Sequence, residues 1–179
     1  MTALYPRLVG ASWATLPEIV RDVHKGEGVT RAAGRFTVHP GSNVLARVLA
    51  RLGGLPEPGE VALEVEVTPD ADGETWHRRF GEGRLVTRQW EEDGRLVEEI
   101  GRLQVVFALA AVDGGLQFDQ MAARVACGRW RVPLPRWLAP LVRARAWADD
   151  GLRVKVEVTA PVAGLLCAYE GVLTQDDRT

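Results

Sequence analysis

The sequence predicts an α+β domain that is mainly antiparallel β. The expected form is a strongly curved sheet or incomplete barrel of about eight to nine strands, with N-terminal helices and one helix after the first strand. Three observations predict it. From Val61 onward, apolar and polar residues alternate with period two. Turn signals then recur at strand-length intervals: Asp72-Gly73, Gly81-Glu82-Gly83, Asp93-Gly94, Asp113-Gly114-Gly115 and Asp150-Gly151. Helical spacing of apolar residues is confined to segments ahead of Val61. A meander of this length must curl or close to hide its edges and its apolar face.

The first 28 residues read as helical. Tyr5 to Trp13 predicts a short helix. Thr15 and Glu18 have the spacing of a capping box around Pro17, and Leu16, Ile19, Val20 and Val23 then mark one buried face. Gly26 ends this helix, with His24 and Lys25 placed as cations in its last turn. Val29 to Val38 predicts the first strand, broken by Pro40-Gly41. Ser42 or Asn43 can cap the next helix, whose stripe is Val44, Leu45, Val48, Leu49 and Leu52. In the meander, Val61, Leu63, Val65 and Val67 face one way, and Leu152, Val154, Val156 and Val158 repeat the pattern late in the chain. The last strand runs from Leu165 to Leu173. Residues 1–179 read as a single domain, with 174–179 a loose tail. One segment interrupts the meander, Trp130 to Val142. Its prolines forbid a central strand and predict a loop and short helix crossing the sheet.

Composition narrows the chemistry. The chain has 179 residues, 46% hydrophobic and 26% charged, with net charge −2, which describes a globular domain. No apolar run is long enough for a membrane span. Met1 to Gly10 lacks the pattern of a secretory signal, so a cytoplasmic location is expected. Cys127 and Cys167 form no CxxC and read as small buried hydrophobes. His24, His39 and His77 share no metal-ligand spacing, and neither Ser12 nor Ser42 lies in a GxSxG motif. No phosphate-cradling glycine motif occurs. Acids interleaved with the arginines argue against nucleic acid. No catalytic residue, metal site or cofactor is assigned.

Glu74 to Ile100 is the most informative stretch. If the turn at Gly81-Glu82-Gly83 pairs Phe80 with Arg84, one face carries Trp76, Arg78, Phe80, Val86, Arg88 and Trp90. That face is the more aromatic and is expected inside. The Asp93-Gly94 turn then sets Arg88 opposite Glu99, a ready partner; Arg78 has no evident one. His77 falls outside. The acidic neighbours Glu91-Glu92 and Glu98-Glu99 point to opposite faces, so neither pair can share a proton.

The expected function is binding of a hydrophobic or amphiphilic anionic small molecule on the concave face. Trp76, Phe80, Trp90 and Phe107 would form apolar walls, with Arg78, Arg88 and Glu99 at the polar end. The same arginines could instead stack on Trp76 and Trp90 and reach solvent at the rim. Trp130, Trp137 and Leu138 would serve as a lid or interface, either as a mobile or membrane-touching lip or as packing across the barrel end. One alternative is an enzyme or auxiliary domain in which Glu99 does acid–base work tuned by Arg88. Another is a protein–protein interaction module using Trp130–Val142. The oligomeric state is left open.

The chain also resembles a known family. The carrying residues are Gly34-Arg35-Phe36, Leu49 to Pro56, Trp76-His77-Arg78-Arg79-Phe80-Gly81, Leu96 to Gly101, Val132 to Leu138, Ala160 to Leu166 and Tyr169 to Leu173. In order and spacing they resemble the bacterial domain-of-unknown-function family numbered 4166, from about Leu4 to Leu173. The resemblance implies a domain that stands alone or follows a dehydrogenase-like or epimerase-like domain, and this chain resembles the stand-alone form. It implies no catalytic residues. The order of strand, helix and meander is loosely similar to intracellular lipid-binding barrels, in fold order alone.

Overall fold

The structure, a computed structural model, describes residues 3–175. Its elements are α1 (Leu4–Val9), a 3-10 helix (Gly10–Thr15), α2 (Glu18–His24), β1 (Thr30–Pro40), α3 (Val44–Leu52), β2 (Gly59–Pro69), β3 (Gly73–Phe80), β4 (Gly83–Glu92), β5 (Arg95–Ile100), β6 (Leu103–Val112), β7 (Gly115–Cys127), β8 (Trp130–Pro133), β9 (Leu141–Ala148), β10 (Leu152–Ala160) and β11 (Gly164–Gln175). All strand pairings are antiparallel. Ten strands close on themselves in the order β1-β2-β3-β4-β5-β6-β7-β9-β10-β11, with β11 back against β1. The sheet is therefore a closed ten-strand barrel with one extra strand, and the expected eight- to nine-strand incomplete barrel is corrected.

The two uncounted strands flank the proline-rich segment. β7 is long enough to serve two partners on one side, pairing Gly115–Asp119 with β9 and Arg124–Cys127 with β8. β8 thus hangs on the outside as an edge strand, where Pro133 is tolerated. The expected short helix is a turn, with the Leu138 and Ala139 amides donating to the Pro135 carbonyl at 2.9 Å. β9 escapes notice because its inner face is Val142, Ala144 and Ala146, and alanine carries little β-propensity.

Local chemistry fixes most hairpins. Asp93-Gly94 and Asp113-Gly114 both adopt positive φ (52° and 69°, 48° and 68°), the conformation that suits two-residue hairpin turns. At the opposite barrel end, Gly81-Glu82, Gly101-Arg102 and Gly128-Arg129 make two-residue turns as well, each glycine at φ between 55° and 61°. The first of these matters most. Phe80 pairs with Gly83, not with Arg84, so β4 is shifted by one residue from the sequence expectation. Leu85, Thr87 and Gln89 face inward with Trp76, Arg78 and Phe80, while Val86, Arg88 and Trp90 face outward.

α1, the 3-10 helix and α2 plug one end of the barrel. Leu4, Tyr5, Leu16, Val20 and Val23 join Trp76, Phe80, Phe107, Leu116, Leu152 and Tyr169 in the main core. The capping box does not form: Pro17 precedes α2, and the Thr15 hydroxyl donates to the Ser12 carbonyl at 2.8 Å. His24 is not a solvated helix-end cation but is buried. Cys167 is buried and Cys127 exposed, so only one of the two cysteines is a core residue. Thr174 and Gln175 belong to β11; the rest of the expected tail, 176–179, lies outside the described residues. Among the described residues no helix is long and apolar enough to cross a membrane.

α3 lies at the other end, over a smaller cluster of Ala46, Val158, Ala163 and Leu166. Its seat is close. A Cβ on Gly41 would lie 2.2 Å from the Leu165 carbonyl oxygen and 2.5 Å from the Ala46 Cβ. Asn43 caps the helix by accepting from the Ala46 amide at 2.8 Å, and its amide donates to the Ala163 carbonyl at 2.8 Å. The small residue, not the apolar stripe, faces the barrel. Ala46 is 0% exposed, whereas Val44, Leu45, Val48 and Leu52 are 67%, 48%, 48% and 80% exposed. Of the stripe Val44, Leu45, Val48, Leu49 and Leu52, Leu49 packs partly against this cluster and the other four are exposed.

Asn43→Ala removes both the cap and the tie to the β10–β11 turn. It is expected to lower unfolding free energy by about 1–2 kcal/mol in urea titration. No change would mean that α3 is held by Ala46 and Gly41 alone.

Candidate functional site

The barrel encloses a cavity of about 520 Å³ that runs from the N-terminal plug to the α3 end. That volume lies within the usual range of small-molecule pockets. Ten strands give a wider barrel than the eight whose interior side chains just fill. The small inner face of β9, Val142, Ala144 and Ala146, leaves further space in the cavity. Val65, Leu85, Phe107, Phe118, Val154 and Val156 are among the apolar walls, and Leu45, Leu49, Leu138 and Val162 border the mouth.

Tyr5, His24, Gln89, Arg145 and Tyr169 interrupt the apolar lining, and so does a hydrogen-bonded cluster on three neighbouring strands. On β3, β4 and β5 the inward positions Arg78, Thr87 and Glu98 are close neighbours across the ladder. Arg78 Nη1 donates to Thr87 Oγ1 at 2.9 Å and to Glu98 Oε1 at 3.1 Å, and Thr87 Oγ1 donates to Glu98 Oε1 at 2.8 Å. The guanidinium carbon sits 4.8 Å from the Trp76 ring centroid. Burial alone would lower the Arg78 pKa, but Glu98 beside it outweighs that, and the group stays above its ordinary value. Nε and Nη2 of Arg78 make no hydrogen bond among the described residues, so those donors are unused.

Behind this cluster, toward the plug, lie groups that are fully enclosed. Tyr5 donates its hydroxyl to Gln89 Oε1 at 2.7 Å. Trp76 Nε1 donates to Glu74 Oε1 at 2.7 Å. The His24 ring packs 4.6 Å from Tyr5 and 5.6 Å from Trp76, and its Nδ1 donates to the Val20 carbonyl at 2.8 Å. Burial drives the two titratable groups in opposite directions. It raises the Glu74 carboxyl to about 7 and lowers the His24 imidazole to about 4. Both are neutral in mildly acidic solution. Burial also pushes Tyr169, on β11, up to about 12.

The structure thus divides the expected site. Trp76, Arg78 and Phe107 line the cavity; Phe80 faces inward and packs on Tyr169 with ring centroids 5.3 Å apart. Arg88, Trp90 and Glu99 are corrected to the outer wall. There Arg88 pairs with Asp70 at 3.3 Å and stacks at 5.8 Å on Trp90, while Glu99 accepts from Gln104 at 2.6 Å. The cause is the two-residue Gly81-Glu82 turn, whose glycine at positive φ removes the residue that would have set the other register. Leu138 borders the mouth; Trp130 and Trp137 lie outside at the same end, 64% and 70% exposed. Sequence reasoning missed Tyr5, His24, Glu74, Thr87, Gln89 and Glu98. The signal for Glu98 was its place two strands from Arg78, legible only in the correct register. Among the described residues no group of His, Cys, Asp and Glu could hold a metal ion.

Two outcomes are expected. Arg78→Met leaves Glu98 without its cation in an apolar cavity and should cost about 3 kcal/mol or more in denaturant titration. The double variant Arg78→Met/Glu98→Met should recover a large part of that loss; a double variant no more stable than the single would show the pair is not coupled. The second concerns pH. Glu74 binds its proton more tightly folded than unfolded, so its contribution to stability is full below its ordinary value near 4.5 and falls as pH rises toward 7. Relative to the parent, Glu74→Gln should therefore gain about 3 kcal/mol between those limits and then level off. His24 has the opposite sign: its neutral folded form makes stability rise between pH 4 and 6.5, so His24→Phe loses that rise.

No curated protein and no solved structure matches this chain. Residues 16–173 match the family described as "Domain of unknown function (DUF4166)". That span contains the whole barrel to within two residues of the end of β11, the polar cluster on β3–β5 and the mouth with α3. The chain belongs to the DUF4166 family.

Proposed function

We propose that the barrel binds a hydrophobic or amphiphilic small molecule. Its apolar part would lie against Phe107, Phe118, Val154 and Val156, and its head group would meet Arg78. One observation carries the reading: an apolar space of about 520 Å³ stays open in the core, lined by the Arg78 guanidinium, whose Nε and Nη2 make no hydrogen bond among the described residues. A filled core would be more stable, since each void forfeits dispersion contacts. Arg78 and Glu98 cancel in charge, and Glu74 is neutral below about pH 7. An anionic head such as a carboxylate would therefore be held by the hydrogen bonds of Arg78 Nε and Nη2 more than by net field.

A catalytic reading based on Glu99 and Arg88 loses its footing, because both lie on the outer wall. Glu74 titrates near neutrality but is 1% exposed and lies outside the cavity lining.

Native mass spectrometry of freshly purified protein tests the proposal. The expected result is a stoichiometric extra mass, released on denaturation and identified by organic extraction. Ala144→Trp places an indole in the cavity from the inner face of β9, and should remove that mass and weaken dodecanoate binding by roughly tenfold or more. A parent protein that carries nothing and takes up neither dodecanoate nor dodecanol would overturn the reading.

A further inference from the structure

Outside the cavity, the least expected feature is the orientation of α3. A helix with a strong apolar stripe ordinarily turns it to the core. Here Ala46 faces inward, while Val44, Leu45, Val48 and Leu52 are exposed. Across the mouth stand Trp137 and Leu138 of the β8–β9 connection, 70% and 51% exposed, and Val162 of the β10–β11 turn at 75%. Leu45, Leu49, Leu138 and Val162 border the cavity, so the exposed apolar surface and the mouth are continuous.

The charge of the connections between strands differs between the two ends. The turns at the plugged end, between β2 and β3, β4 and β5, β6 and β7, and β9 and β10, carry Asp70, Asp72, Asp93, Asp113, Asp149 and Asp150 and no basic residue. The connections at the mouth end carry Arg47, Arg51, Arg102, Arg129 and Arg136, against Glu57 and Glu82. None of those five arginines forms an ion pair among the described residues. Asp70, Asp113 and Asp149 of the plugged-end turns pair with Arg88, Arg145 and Arg153, and the plug helices add Arg7, Arg21 and Lys25, so what sets the mouth apart is its unpaired arginines beside exposed apolar side chains.

We infer that the mouth end docks on the surface of an anionic lipid bilayer. The stripe of α3, with Trp137 and Leu138, enters the boundary between headgroups and acyl chains. Arg47, Arg51 and Arg136 meet lipid phosphates. Apolar side chains and tryptophan beside cations are the composition of an interfacial segment, and each basic residue near an anionic surface adds attraction. An apolar protein partner would explain the apolar surface but not the five arginines beside it that lack carboxylate partners among the described residues. The inference deepens the cavity reading and rests on it for its purpose: the bilayer is the phase in which an apolar ligand would be collected or released through the mouth.

Sedimentation of the intact protein with two kinds of vesicle tests it, phosphatidylcholine alone and phosphatidylcholine mixed with phosphatidylglycerol. Binding to the mixed vesicles, weakened by salt, is expected. Val48→Glu/Leu52→Glu and Arg47→Glu/Arg51→Glu alter exposed positions and should each weaken it by roughly tenfold or more. No binding, equal binding to both vesicles, or parental binding by both variants overturns the docking. So does a concentration-dependent dimer that the Val48/Leu52 variant abolishes without any vesicle binding, since a second copy would then cover the stripe. The Ala144→Trp protein separates the two proposals. If it binds anionic vesicles as the parent does, docking stands whether or not the cavity takes a ligand. If the parent takes up dodecanoate in solution but ignores the vesicles, the cavity reading stands and docking fails.

Discussion

The ladder between β1 and β11, from Ala32 opposite Gln175 to Pro40 opposite Cys167, turns a sheet into a container. An open meander of ten strands would leave two edges and an apolar face to be covered from outside. Closing it puts the apolar face around an axis, where its width is set by strand number and not by side-chain volume. The approach is close: a Cβ on Gly34 would fall 1.8 Å from the Val172 carbonyl oxygen, so the bare backbone at Gly34 is what lets the strands meet there. The plug of α1 and α2 and the seat of α3 presuppose this geometry. So does the meeting of Arg78 with Glu98, which come from strands two apart in one curved wall.

Within that container burial acts on charge unevenly. Arg78 keeps its ionisation because Glu98 beside it supplies what the guanidinium lost on leaving water. Glu74 and His24 have no such counterpart within hydrogen-bonding distance, and each is pushed toward its neutral form. Their effects on stability oppose each other through the mildly acidic range. The polar floor can thus be packed deep in an apolar core without a steep pH limit on the fold.

Much of the architecture was legible in the chain. The Asp-Gly turns, the alternation in β2 and β10, and the helices around Val20 and Ala46 are local signals, and each stands where its residues put it. Trp76, Arg78 and Phe80 were also placed inside correctly, because β3 carries its own pattern. Failure set in at a single turn. Whether Gly81-Glu82 or Gly81-Glu82-Gly83 joins β3 to β4 is a difference of one residue in the turn, yet it reverses Arg88 and Trp90. β9 was silent because Ala144 and Ala146 are small, and the same smallness leaves space in the cavity. Tyr5 and Gln89 are 84 residues apart and no periodicity links them. The α3 stripe was read correctly as amphipathic; periodicity finds an apolar face but does not say what covers it.

Closure by the first and last strands also bears on how the chain reaches this state. The hairpins from β2 to β7 are local and can form as soon as their turns exist, but β1 waits for a partner more than a hundred residues away. Contacts such as that of the Thr174 hydroxyl with the Ala33 carbonyl span 141 residues. On the ribosome β1 and β2 emerge well before β11, and one edge of β1 stays unpaired until β11 follows. During that interval the inner face has no opposite wall. The chain must hold an incomplete barrel in solution before it can hold anything in the barrel.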